Sequence, residues 1–327
     1  MRRAVLTAAA LFSVVLLLGS ACKKQTQTGY PDTVIATIPV GGDPSDLAML
    51  PDGDFVYVAN GGAPYVTVVN VATRSVVAHV TCVEVPYMIA VKPGGEFVYV
   101  TSELDDAVAV IRTSDNSVVA TVPVGECPHR LCFSPDGAFC YTADQNSSTV
   151  SVIRTSDNTV VASVPVGNTP RDVDCLPGGD FVYAANLYEP TLSKIRTSDN
   201  TLCGTVSLPF TVHRVRVMPG GAYLYASEYH GNRIAVVSTV GDSVVEVIDA
   251  GSTVIGMCFV GEGAYLCVAS DFDGGSMTVI STANNEVVDR VRTGDEPFSV
   301  QPSADGALVA SCDNGSQTVT LIGRSGD

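Results

Sequence analysis

The sequence predicts an all-β fold: a seven-bladed β-propeller of four-stranded antiparallel blades, the last blade closed by the N-terminal strand. Three observations carry that prediction. A turn-forming tetrapeptide recurs at fixed spacing, each repeat holds four short strand-like runs, and one repeat is divided between the two ends of the chain. The tetrapeptides start at Pro51 (Pro-Asp-Gly-Asp), Pro93, Pro135, Pro177 and Pro219, with degraded copies at Gly261 and Ala304. Successive starts lie 42, 42, 42, 42, 42 and 43 residues apart. A period in this range marks a solenoid, an array or a propeller.

Within each copy the run after the turn is compact and apolar: Phe55-Val-Tyr-Val-Ala, Phe97-Val-Tyr-Val-Thr, Phe139-Cys-Tyr-Thr-Ala, Phe181-Val-Tyr-Ala-Ala, Tyr223-Leu-Tyr-Ala-Ser. β-Branched and aromatic residues suit a pleated surface. Apolar residues at consecutive rather than alternate positions predict burial on both faces, as in stacked sheets. The next run is Val66-Thr-Val-Val, Val108-Ala-Val-Ile or Val150-Ser-Val-Ile, followed by a polar turn that reads Arg-Thr-Ser-Asp-Asn from Arg112, Arg154 and Arg196. Asp and Asn favour such turns because their side chains bond nearby backbone groups. A fourth run, such as Ser75-Val-Val-Ala or Thr159-Val-Val-Ala, leads through a Pro- and Gly-bearing loop to the next marker turn. Nothing after the leader shows the i, i+3, i+4, i+7 pattern of a helix.

Sheets repeated this way close into a propeller, where blades shield one another's faces. Residues 33–41 match the fourth run that begins at Ser117, while the last copy reaches Asp327 where its own fourth run is due. Residues 33–40 are therefore predicted to pair beside Val319–Ile322 and latch the ring.

The second run, Tyr57-Val-Ala-Asn, Tyr99-Val-Thr-Ser, Tyr141-Thr-Ala-Asp and Tyr183-Ala-Ala-Asn, together with the preceding turn, resembles the YVTN-type β-propeller repeat of surface-layer-like proteins. The resemblance covers residues 31–327. It is clear in five blades and degraded in the last two, where Cys267 and Ala310 replace the Tyr. It implies seven blades and an extracytoplasmic setting, but no single activity, since related propellers serve as adhesive modules, enzyme scaffolds and lactonases. The tryptophan–aspartate repeat has a similar period, but this chain contains no Trp.

The formal charge of −16 argues against nucleic-acid partners, which require basic surface to displace phosphate counterions. Residues 1–21 read as a leader: Arg2 and Arg3 precede a short apolar core from Ala4 to Leu18, too short for a typical spanning helix. Leu18-Gly-Ser-Ala-Cys22 resembles a bacterial lipobox, with Gly19 where that family prefers Leu. On this reading Cys22 takes the lipid, residues 22–30 form a tether, and the propeller faces the periplasm or cell surface. Lys23 after the Cys then points to the outer membrane where one exists. An ordinary secretory leader cut after Ala21 is the alternative.

Of the nine other cysteines, Cys132, Cys140, Cys175, Cys203, Cys258, Cys267 and Cys312 fall in strand runs and read as small core residues. Cys82 and Cys127 lie in successive inter-blade loops, and sequence leaves open whether they pair. No motif calls for a metal or cofactor. Four His are too few for a multi-copper centre, and Asp271-Phe-Asp-Gly-Gly starts like a calcium loop without the closing Glu. There is no Gly-x-Ser-x-Gly elbow.

The marker turn and the Thr-Ser-Asp-Asn turn belong to one rim, nearly constant between blades. The opposite rim varies: Gly61-Gly-Ala-Pro, Glu103-Leu-Asp-Asp, Gln145-Asn-Ser-Ser, Leu187-Tyr-Glu-Pro, Tyr229-His-Gly-Asn. Variable loops on a rigid scaffold are where binding usually sits. The innermost strands start at Ser45-Asp46, Tyr87-Met88, His129-Arg130, Arg171-Asp172, His213-Arg214, Ile255-Gly256 and Phe298-Ser299, ringing the channel on that side. His129, Arg130, Arg171, His213, Arg214, Arg216, Tyr229 and His230 form the candidate site. Two readings of these residues remain: pairing with Asp172, Asp174 and Glu228, or a pocket for a small anionic ligand, because Arg presents a planar donor fork to carboxylates. The expected function is a lipid-anchored binding scaffold for a protein, glycan or small anionic ligand. The alternative is a lactonase-like hydrolase at the channel mouth with His129 or His213 as base.

Overall fold

The computed structural model describes residues 29–325; the leader and Cys22 lie outside the described residues. Seven four-stranded antiparallel sheets follow one another around a ring. Six are built from consecutive strands. The seventh combines Pro297–Pro302, Val309–Asp313 and Thr318–Gly323 with the first strand, Thr33–Pro39. The latch pairs from Thr33↔Gly323 to Pro39↔Thr318, with one register shift between Val34 and Ala36. Asp32 extends it by accepting hydrogen bonds from the Ser325 backbone N–H (2.6 Å) and hydroxyl (2.8 Å).

The second strand of each blade is buried at nearly every position, as consecutive apolar residues require; Phe55–Asn60 and Phe97–Ser102 are examples. The core lies between blades. Tyr57, Val66 and Val68 of the first blade pack with Val98, Val100 and Ile111 of the second. Each of the seven outer strands carries a bulge or register shift against its neighbour. Such bulges twist an exposed edge away from pairing with another chain. Two single 3-10 turns, Gly261–Gly263 and Phe272–Gly274, are the only helical segments among the described residues.

The constant rim is stapled within and between blades. Gly53, Gly95, Gly137, Gly179 and Gly221, third in their turns, have φ between 67° and 82°, a region that disfavours a side chain. The Thr of the polar turn donates to the carbonyl of that glycine: Thr113 to Gly95 (2.7 Å), Thr155 to Gly137 (2.6 Å), Thr197 to Gly179 (2.7 Å). The repeat's Tyr reaches across to the turn of the next blade. Tyr57 donates to Asn116 (2.6 Å), Tyr99 to Asn158 (2.5 Å), Tyr183 to Asp242 (2.8 Å) and Tyr225 to Asn285 (3.0 Å). Their receivers hold left-handed backbone, φ 48–56°, which Asn and Asp tolerate best. At the corresponding position facing the seventh blade, the first blade's turn carries Arg74 instead. The Tyr is thus replaced, by Ala310, where its amide partner is missing.

The described cysteines are all free, Cys82 and Cys127 included. Cys140, Cys258, Cys267 and Cys312 are core residues as expected; Cys203 is exposed on an outer strand, and Cys132 and Cys175 are half-buried. No helix among the described residues is long and apolar enough to cross a membrane.

Candidate functional site

Each inner strand enters the channel from the variable rim, so its first residues stand at that mouth and its last near the constant rim. A bulge at the entry of most of them, between Pro128 and Leu131 for example, lets neighbouring side chains such as His129 and Arg130 both turn inward. The channel wall divides into two electrostatic regions.

The deeper region is a compensated ion lattice. Arg130 Nη2 lies 3.3 Å from Asp46 Oδ1, and its Nε lies 3.7 Å from Asp172 Oδ1. Arg216 Nη1 lies 3.1 Å from Asp172 Oδ2 and its Nε donates to the Met257 carbonyl (3.1 Å). The same carboxylates clasp neighbouring blades. Asp46 accepts from Ile89 N–H (3.2 Å), Asp172 from Val215 N–H (3.1 Å) and Asp174 from Val217 N–H (2.7 Å). Burial works against the Arg216 charge, but Asp172 and Asp174 outweigh it and raise the pKa. Burial pushes Asp174 up to about 6. Arg130 and Arg216 also line a cavity of about 420 Å³ that opens toward the constant rim, with Asp174, Phe133 and Phe259.

The outer region is not compensated. Arg214 is fully buried; its Nε donates to the Ile255 carbonyl (2.9 Å), but neither Nη1 nor Nη2 has a partner. Burial first, then the charge of Arg130, brings its pKa down to about 9 against the pull of Asp172 and Asp46. A guanidinium remains protonated at neutral pH at that value, so this is a charge held without enough counter-charge. Arg171 has no carboxylate in ion-pair contact. Its guanidinium lies 5.9 Å from the Tyr229 ring and against the Tyr87 hydroxyl, and its buried Nε is unpaired.

His129 is fully buried, 5.1 Å ring to ring from Tyr87, and neither ring nitrogen has a hydrogen-bond partner. Its Nε2 lies 3.9 Å from Glu103 Oε1. Burial, then Arg171 and Arg214, hold its pKa well below the ordinary histidine value; His213, 5.7 Å from the Tyr229 ring, is lowered by burial, Arg214 and Arg171. Both imidazoles are therefore neutral at pH 7. His230 stacks on Tyr229 at 3.9 Å and is exposed, with φ 55°.

The eight sequence candidates thus separate. Arg171, Arg214, His129, His213, Tyr229 and His230 gather at the variable-rim mouth, while Arg130 and Arg216 belong to the lattice below. Asp172 is the shared counter-ion, whereas Glu228 turns outward to Arg233. The sequence reading placed Asp46 and Tyr87 on the channel ring and Glu103 in a variable loop, but did not see Asp46 as a partner or bring Tyr87 and Glu103 into the site. The signal was available: Asp46 occupies the repeat position of Arg130 and Arg214, and Glu103 begins a variable loop. Beside Tyr87 the mouth opens into a cavity of about 240 Å³ lined also by Ser45, Gly62 and Phe298. Among the described residues no group of His, Cys, Asp and Glu is arranged to hold a metal ion.

The family described as lactonase, 7-bladed β-propeller, matches residues 86–163, a segment that contains Tyr87, Glu103 and His129. Among solved structures the chain is similar to Kuenenia stuttgartiensis hydrazine synthase. They share 22% identity at a TM-score of 0.80, over 88% of this chain and 97% of that one. At that identity the likeness speaks for the fold alone. No curated protein matches the chain.

Proposed function

We propose that the variable-rim mouth binds a small carboxylate, with Arg171 as its receiver and Arg214 behind it as a source of positive potential. The observation that carries this reading is the pair of arginines left without carboxylate partners in a channel whose other arginines are ion-paired. A buried charge without counter-charge is destabilising, and an entering anion relieves it. A thermal-shift panel of small mono- and dicarboxylates tests this. Arg171→Ala should abolish any stabilisation seen with the wild type, and an unchanged shift in that variant would remove Arg171 from the site.

A second reading, lactone hydrolysis at the same mouth, is favoured by the match to the lactonase family over 86–163. Neutral His129 beside Glu103 would then serve as base, polarised toward a water, while arginine holds the substrate's carboxylate. Lactone turnover that disappears in His129→Ala supports it; turnover equal to that of the variant removes it.

The anchoring reading is also a proposal. The first strand begins at the constant-rim end, where Tyr30 packs on Tyr265 at 4.8 Å. A lipid on Cys22 would hold that rim to the membrane and turn the arginine mouth away from it. Cys22→Ser should abolish fatty-acid labelling; retained labelling would count against acylation.

A further inference from the structure

Glu103 and Arg171 share the mouth without touching. Arg171 acts on Glu103 across the mouth, yet no ion pair forms between them. Both are held elsewhere. Arg171 rests against Tyr229 and the Tyr87 hydroxyl. Glu103 accepts from Gln145 Nε2 (3.4 Å) through Oε1, the oxygen that also faces His129, while Oε2 has no donor among the described residues. Burial raises the Glu103 pKa and Arg171 only partly offsets it, and among the described residues no Lys or Arg lies in ion-pair contact with this carboxylate.

We propose that the ligand of this mouth is zwitterionic: an amino-acid-type molecule whose carboxylate meets Arg171 and whose ammonium meets Glu103. The inference rests on the carboxylate reading above and narrows it. A ligand bearing only a carboxylate gains Arg171 but meets repulsion from Glu103. A ligand with both charges satisfies the two groups together, and opposite charges a few ångströms apart are strongly coupled in a partly dehydrated site. The ring of Tyr87 adds a π face, which attracts ammonium groups. Asp105 and Asp106 lie in the same loop as Glu103 and are exposed, which adds negative potential that a guest's ammonium can answer.

The test is isothermal titration calorimetry with glycine, β-alanine and γ-aminobutyrate, which vary the charge separation, and with their N-acetyl derivatives, which keep only the carboxylate. At least one free amino acid should bind at least tenfold more tightly than its N-acetyl form. Glu103→Gln should reduce that ratio to about one while leaving N-acetyl binding unchanged or improved. N-acetyl acids that bind the wild type as tightly as the amino acids overturn the zwitterion inference and leave the carboxylate reading intact. Absence of binding by both sets overturns both. Thermal melting of Glu103→Gln serves as the folding control.

Discussion

Two halves of one channel use the same residue types to opposite effect. In the deeper half Asp46, Arg130, Asp172 and Arg216 alternate, and each charge has a partner within 3.7 Å. In the outer half Arg171 and Arg214 have no carboxylate in ion-pair contact: Asp172 and Asp46 act on Arg214 only from a distance, and Glu103 is kept apart from Arg171. Both halves sit on the same strands, one or two residues from each other, so the scaffold does not explain the difference. Internal pairing locks blades together. Its absence leaves charge unmatched, which is the basis of the proposed site.

The contrast is most sharply tested at Asp172. Asp172→Ala leaves Arg130 and Arg216 without their shared counter-ion and Val215 N–H without an acceptor. Removing one partner of a buried pair destabilises by about 3–5 kcal/mol. Urea denaturation should show a loss of that order. In the outer half Arg171→Ala should change stability by less than about 1 kcal/mol, because no ion pair is broken. Comparable losses in the two variants would erase the distinction.

Next in size is a pH effect. Burial raises Asp144 to about 6, although Ser151, Thr142 and Thr149 donate to it. The folded protein therefore binds more protons than the unfolded chain between about pH 4 and pH 6. The stabilising contribution is complete below the unfolded value near 4 and is lost as pH rises through 6. Asn60 and Asn186 hold the equivalent position in other blades and bond neighbouring hydroxyls without a charge. Asp144→Asn should flatten this part of the stability–pH profile and stabilise at pH 7.5 by roughly 1–2 kcal/mol. A steeper profile would show that the carboxylate is favoured there.

A smaller effect belongs to the inter-blade bond of Tyr99 with Asn158. Combining Tyr99→Phe and Asn158→Ala should reveal a coupling of about 1 kcal/mol. Smallest is the surface pair Arg112–Asp115, exposed on both sides, where Arg112→Ala should be nearly neutral in the same denaturation assay.

Much of the fold was legible because repetition averages out local ambiguity. The consecutive apolar residues of Phe55–Asn60, the glycine at the third turn position and the orphan strand at Thr33 each had one physical reading. The Tyr–Asn clasp was less legible: Tyr57 and Asn116 are far apart in sequence, and only the sheet geometry brings them together. The site was half legible. The ring alignment found the arginines, but sequence could not say which would be paired. Repeat position alone does not decide it: Arg214 stands in register with Asp172 yet has no ion pair, whereas Arg216, two residues further along the strand, takes that carboxylate.

The most direct measurement of the uncompensated mouth is anomalous scattering from a bromide-soaked crystal of the propeller. A bromide peak beside Arg171 at the variable-rim mouth, lost in Arg171→Ala, is the expected result. A mouth free of bromide while ions occupy the Arg130–Arg216 lattice would contradict the division between the two halves.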